Sequence, residues 1–489
     1  MTTVSFVHHS LSPQTHQLAD EALAGHWGRT LADLPLTLDG TTLTDVSDER
    51  LYAECVTLIA EQAQVRIIPG ERLVGSASLA LAPKHVVPVY RQGKPIFPST
   101  SHLTLGFDYA LKVGYRGLRA EINERLSRGD LDEKGCDLLH AMLICLNSAT
   151  RWHQRYVDAL TDAANTATGE QREHYQQIIA RLRNVPENPP TTFPEAVQSL
   201  WFMFAFQRLC GNWPGIGRID EMLGSYLRAD LAAKTITLNE ARELLAHFWI
   251  MGCEWIGAET SFGDSGDAQH YQNIVLSGVD ADGHDITNDV TYLILDIVEE
   301  LHISDFPIAV RINRDSPDRL LRRIAEVQRC GGGIVAIYNE ETVLDSMVRF
   351  GYPLREARRF ANDGCWEVQI PGETCFTYRP FDTLALLQEV LGVHSGTPLP
   401  CHDDFASFYT AFRDRLFTQV DAIHREADGF AHDGRPATLV SLLERDCIEQ
   451  GRGYYACGAR YTLFAPHAGG IPDTANSLLA IKQLVYDEQ

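Results

Sequence analysis

Three short apolar runs in the middle of the chain constrain the fold most: Asn273–Ser277 (NIVLS), Ile308–Ile312 (IAVRI) and Gly333–Tyr338 (GIVAIY). Helical periodicity fills the gaps between them, at about 289–303 and 316–330. Strands that pair in parallel need a crossover of about a dozen residues, and a helix is the usual one. The runs are nearly continuous in apolar residues rather than alternating. Their sheet is therefore covered on both faces or closed into a barrel. The fold class this predicts is α/β.

The rest of the chain frames that centre. Residues 15–65 read as helical with a polar break near Leu38–Thr42. Residues 66–105 hold Pro69, Pro83, Pro88, Pro95 and Pro98 and read as an irregular layer with short β-type runs. Helical periodicity returns from Asp108 to Leu182. The stretch NVPENPPTT (Asn184–Thr192) stops one helix and caps the next. Phe193–Leu209 is apolar on all sides and predicts an interior helix. Further helices are expected at about 219–233, 238–253, 341–349, 354–361, 382–392, 403–426 and 437–450. Without a repeat or a low-complexity linker, 1–489 reads as one domain, helical over about 1–185 and barrel-forming over about 186–489.

Charge and cysteine usage narrow the function classes. The formal net charge is −23, so nucleic acid and anionic membrane are not expected partners. No run of about 18 apolar residues predicts a membrane span. The N-terminus, MTTVSFVHHSLSPQTHQ, lacks the apolar core of a signal peptide. Eleven cysteines include no C-x-x-C pair, so no metal site is predicted and a reducing, cytoplasmic setting is. Most of these thiols are expected to be small buried hydrophobes.

The segment ANDGCWEVQIPGE (Ala361–Glu373) carries chemistry. Gly364 permits a sharp turn, and Cys365 and Glu367 stand two residues apart, on one side of an extended chain. A carboxylate beside a thiol raises its pKa, which is wrong for a thiolate nucleophile. It suits a neutral sulfur with a carboxylate that handles the substrate's protons.

Several segments in order resemble the glycyl radical enzyme family, the pyruvate formate-lyase-like radical dehydratases and lyases. They are ERLVGS (Glu71–Ser76), PPTTFPEAVQSLWF (Pro189–Phe202) and GRIDEML with YLRADL (Gly217–Leu231). Others are YQNIVLSGVDADGHDITNDVTYLIL (Tyr271–Leu295), PIAVRI (Pro307–Ile312), NDGCWE and SLLAIKQLVYDE (Ser477–Glu488). The resemblance implies a ten-stranded α/β barrel of the glycyl radical enzyme type, surrounded by helices and incomplete in this chain. It implies that Cys365 lies on a finger inside the barrel and becomes a thiyl radical, with Glu367 as the base on a substrate hydroxyl or amine. Trp366 after Cys365 argues against the formate-lyase branch, which has two adjacent cysteines.

The family's glycyl radical motif, R-V-x-G-Y, is missing from this sequence. The expectation is therefore the large subunit of a split, anaerobic radical lyase with no cofactor bound in this chain. A small glycyl-radical-bearing subunit would supply the radical, and a radical S-adenosylmethionine activase would install it. An oligomer acting on a small polar molecule is expected. By position in the resemblance His102, Asp108, Trp213 and Trp366 are candidate substrate-binding residues; Tyr271 and Asn273 join them as the start of an expected barrel strand, Asn339 as the end of another, and Arg379 as a cation that follows the finger loop. Arg218 and Asp220 read as a structural ion pair. A degenerate or truncated family member stays open beside the split enzyme, as do two rival readings: a non-catalytic scaffold that keeps the fold, and a thiolate hydrolase built on Cys365 and a histidine.

Overall fold

The computed structural model describes residues 10–28, 36–38, 46–76, 86–87, 90–91, 94–254, 256, 272–303, 306–331, 335–364, 367–393, 402–431 and 434–487. The sequence pattern reads as one unit, whereas packing divides the chain into two compact ones. The first is Met1–Thr374 with Arg435–Arg460, and the second is Cys375–Gly434 with Tyr461–Gln489.

In the first unit the expected interior helix spans Phe193–Leu209, and every residue from Ala196 to Leu209 is buried. The Thr192 hydroxyl caps its N-terminus by accepting from the Glu195 N–H at 3.3 Å. Its polar side chains meet the ERLVGS segment. Gln198 accepts from the Val74 N–H and donates to the Val74 carbonyl, and the Trp201 indole donates to the Gly75 carbonyl at 2.7 Å. Each bond satisfies a group that would otherwise be costly to bury. Helices Phe107–Ser127, Ile219–Ala233 and Leu238–Gly252 pack against this one.

Six short strands surround the candidate site: β1 (Ser101–Thr104), β2 (Trp213–Gly215), β3 (Gly217–Arg218), β4 (Ile274–Ser277), β5 (Ile308–Ile312) and β6 (Val335–Asn339). β1 and β2 pair in parallel. β3, β4, β5 and β6 form a parallel sheet in chain order. The predicted crossover helices are present at Asp289–Leu301 and Asp318–Gln328. All four residues of β4 and the first four of β5 are buried, as a doubly covered sheet requires. The step between β2 and β3 is tied to β4, since the N–H groups of Ile216 and Gly217 both donate to the Asn273 carbonyl.

Among the described residues, the helical stretch expected over 15–65 is limited to Pro13–Leu23 and Asp48–Gln62, with a strand at Leu36–Thr37 between them, and two later helices also differ from the structure. The one expected at 354–361 closes at Leu354–Ala357. Arg311 of β5 takes the carbonyls of Arg358 and Phe360 at 2.8 Å each, its guanidinium stacks on the Phe360 ring, and Glu340 holds it by an ion pair. Those carbonyls are then unavailable to a further helical turn. The helix expected at 437–450 is two pieces, Thr438–Ser441 and Arg445–Gln450. Between them the Leu443 carbonyl accepts from the Gly106 N–H at 3.0 Å.

Residues Ala361–Asp363 (β7) and Glu367–Gln369 (β8) form an antiparallel hairpin. β7 touches β1, β2, β3 and β4, so the hairpin lies against both parallel sheets. In the second unit, strands Thr374–Asp382 and Tyr461–Gly469 pair beside helices Thr383–Leu391, Phe405–Ala431 and Ile471–Ile481. Leu386, Leu387, Phe408 and Phe412 form its core. Of nine described cysteines, six are buried, as small apolar side chains would be. No helix among the described residues is long and apolar enough to cross a membrane.

Candidate active site

The hairpin register pairs Asp363 with Glu367, so residues 364–366 make the connection. Cys365 and Trp366 lie outside the described residues, as does Tyr271. Gly364 has φ +54°, and a Cβ there would overlap the His102 ring and the Glu367 carboxylate. Only glycine fits both the backbone and the space.

Side chains on both sheets hold the finger in place. Gln369 of β8 accepts from the Thr104 N–H at 3.2 Å and donates to the His102 carbonyl at 2.7 Å. Asn273 donates its amide to the Gly364 carbonyl at 3.3 Å. The Asp363 carboxyl is fully buried and accepts from the Asn273 N–H at 3.4 Å. Burial pushes it well above the usual carboxylate range, and the nearby Glu367 charge pushes the same way. The N–H groups of Gly364, Asn273 and Leu103 oppose that shift without reversing it. Folding therefore favours the protonated form of the Asp363 carboxyl. Gly215 makes room for it, because a Cβ there would overlap Asp363 Oδ1.

β1 breaks its register with β2 between Ser101 and Leu103, and the extra residue, His102, has φ +61°. Such a bulge re-aims a side chain, and the left-handed backbone costs about 1 kcal/mol for a non-glycine residue. The result is a contact between His102 Nδ1 and Glu367 Oε1 at 3.1 Å, with the two side chains 14% and 8% exposed. The other oxygen, Glu367 Oε2, is buried and meets no donor among the described residues. Asn273 Oδ1 and Asp363 Oδ2 are in the same condition. Tyr338 of β6 lies near: burial first, then the Glu367 charge, holds its phenol above the usual range. The site therefore presents a carboxylate, oriented by a histidine, with one acceptor oxygen left for a donor.

The other candidates fall elsewhere. Trp213 opens β2 half-buried, with the Arg208 guanidinium 3.9 Å over its ring, so that face is taken by a protein cation. Asp108 pairs with Arg445 at 3.2 Å and lines a cavity that none of His102, Asn273 and Glu367 borders. Asn339 is exposed and caps helix Glu340–Arg349 by accepting from the Thr342 N–H at 3.0 Å. Arg379 is exposed on a strand of the second unit. The expected Arg218–Asp220 ion pair is not the principal one. Arg218 pairs with Glu221 at 2.9 Å, while Asp220 accepts from the Ser277 N–H and the Thr291 hydroxyl.

Sequence reasoning overlooked Asp363, Tyr338 and Gln369. Gln369 carried a usable signal, being two residues past Glu367 and hence on the same face of the strand. Asp363 did too, standing directly before Gly364 and Cys365. Nothing in the sequence marked Tyr338, which reads as one more apolar strand residue.

Comparison with known proteins gives the same family at several levels. The family described as pyruvate formate lyase-like matches residues 85–489. A trans-4-hydroxy-L-proline dehydratase of Clostridioides difficile is 26% identical over 78% of this chain and 52% of its own. An isethionate sulfite-lyase of Oleidesulfovibrio alaskensis is 31% identical over 80% of this chain and 51% of its own. The chain thus spans about half the length of the curated relatives it matches. Among solved structures, the glycerol-bound B12-independent glycerol dehydratase of Clostridium butyricum superposes with a TM-score of 0.82. That match is 20% identical and covers 100% of this chain and 72% of the dehydratase. The fold is the α/β barrel type of the glycyl radical enzymes.

Proposed function

The chain belongs to the pyruvate formate lyase-like family, and from that premise we propose that it is the catalytic large subunit of a split radical lyase. The reaction class is dehydration, or C–N or C–O cleavage, of a small polar substrate. The observation that carries this reading is the oriented carboxylate at the finger: Glu367 held by His102 at 3.1 Å, with Oε2 buried and without a donor among the described residues. A substrate hydroxyl or amine supplies the donor that oxygen lacks. The relatives named as a dehydratase and a sulfite-lyase expel water or sulfite, and eliminations of that kind begin from such a group.

Cys365 first gives up its thiol hydrogen atom to a glycyl radical, which a small partner subunit supplies and a radical S-adenosylmethionine activase installs. The Cys365 thiyl then takes a hydrogen atom from the substrate carbon that bears the hydroxyl or amine. Glu367 removes the proton from that heteroatom, and the resulting ketyl-type radical expels from the adjacent carbon the leaving group, which departs with the proton that Glu367 took. Cys365 returns the hydrogen atom to the product radical. Thiol and carboxylate must be neighbours because they act on one carbon and its substituent.

The test is reconstitution. The chain is combined anaerobically with a glycine-bearing small subunit and an activase, and the EPR spectrum and product formation are followed with candidate diols, amino alcohols and hydroxylated sulfonates. A glycyl doublet with turnover that disappears in Cys365→Ser supports the reading. Turnover by this chain alone in air, or by Cys365→Ser, would falsify it.

A further inference from the structure

Beside the root of the finger, where Pro371 follows β8, the first unit holds a cavity of about 510 Å³. Its wall carries five cations, Lys112, Arg218, Arg355, Arg359 and Arg445. Only two carboxylates, Asp108 and Glu221, line it with them. The overall charge of −23 makes such a local surplus of cations notable.

The surrounding ion pairs fix the cations in place without using all their donors. Arg218 is held by Glu221 at 2.9 Å, Arg359 by Glu373 at 2.7 Å, and Arg445 by Asp108 at 3.2 Å and Glu373 at 3.5 Å. Arg355 pairs with Asp282. Two donors remain: the Nε–H groups of Arg218 and Arg445 are buried and meet no acceptor among the described residues. The Arg218 side chain is only 4% exposed and gives its terminal nitrogens to Glu221 and to the Arg358, Ser277 and Val279 carbonyls, so it frames the cavity while the more exposed Arg445 and Lys112 face it. On the acceptor side, Asp108 Oδ1 is buried and equally unmet. A guanidinium edge matches an oxyanion, and a free carboxylate oxygen matches a hydroxyl. The volume is in the range of small-molecule sites.

We propose that this cavity binds a small hydroxylated organic anion, with its oxyanion on Arg445 and Lys112 and its hydroxyl donating to Asp108. The site is separate from His102 and Glu367 and does not depend on the radical chemistry proposed above.

Calorimetric titration of the full chain at low ionic strength tests it, with glycerol 3-phosphate, inorganic phosphate and glycerol as probes. Glycerol 3-phosphate is expected to bind most tightly, phosphate more weakly, and glycerol without measurable heat. Lys112→Glu, at an exposed position, and Arg445→Gln should each weaken glycerol 3-phosphate about tenfold or more, the effect of one charge-assisted contact. Asp108→Asn should narrow the gap between glycerol 3-phosphate and phosphate. Circular dichroism and thermal unfolding confirm that the variants are folded, and Lys112→Glu carries the test if Arg445→Gln does not fold. The proposal is overturned if glycerol 3-phosphate does not bind, if it binds no better than phosphate, or if folded Lys112→Glu binds it as the parent does.

Discussion

Around the tip of the finger the unmet buried groups include two acceptors, Glu367 Oε2 and Asn273 Oδ1. Beside its root the balance shifts to donors, the Nε–H groups of Arg218 and Arg445. Acceptors suit a ligand that brings protons, and one of them, an oriented carboxylate, is equipped to remove one. Cationic donors suit a ligand that brings negative charge. A hairpin from Ala361 to Gln369 and the residues just after it border both environments. The contrast shows that burial alone does not define a site; the sign of the unsatisfied group decides which chemistry it can serve.

That contrast is most exposed to refutation at the tip. In the reconstituted enzyme, Glu367→Gln should lower kcat by about 10² to 10⁴, the usual worth of a positioned base, with the unfolding midpoint little changed. Activity within a few fold of the parent would remove Glu367 from the proton step. Gly364→Ala should come next. It combines left-handed backbone with overlap onto His102 and Glu367, so a stability loss of about 1–3 kcal/mol is expected in denaturant unfolding. Gly215→Ala should fall in the same range, through overlap with Asp363.

Asp363 allows a finer test through pH. Its folded-state pKa is raised above the ordinary 3.8. The folded protein therefore holds a proton that the unfolded chain releases, and this contribution to stability is full below pH 3.8 and shrinks as pH rises above it. The amide introduced by Asp363→Asn has no such proton to lose. The stability of that variant relative to the parent should therefore increase from about pH 4 upward, measured as the difference in unfolding free energy across a pH series. A difference that stays flat between pH 4 and 8 would show that the carboxyl is ionised in the folded protein. The smallest effects are expected away from the finger. Asn339→Ala removes a helix cap and should cost about 1 kcal/mol of stability with unchanged kcat.

Period and local composition were enough for much of this molecule. Continuous apolar runs marked the parallel strands, all-round apolarity marked the interior helix 193–209, and the order of motifs marked the family. Glycine followed by cysteine and, two residues on, glutamate marked a turn with both side chains on one side, because a turn and a period of two are local properties, and the family resemblance implied that this turn is a finger. Which groups meet was legible only once the chain was folded. His102 reaches Glu367 across 265 positions of chain, and Arg445 reaches Asp108 across 337. Folding also ended the helix at Ala357, where the carbonyls just beyond it turn to Arg311 on another strand. The physical reason is that a side chain's periodicity is set by its neighbours in sequence. Its charge state and partner are set by the path of the whole chain, which brings distant residues into one low-dielectric space.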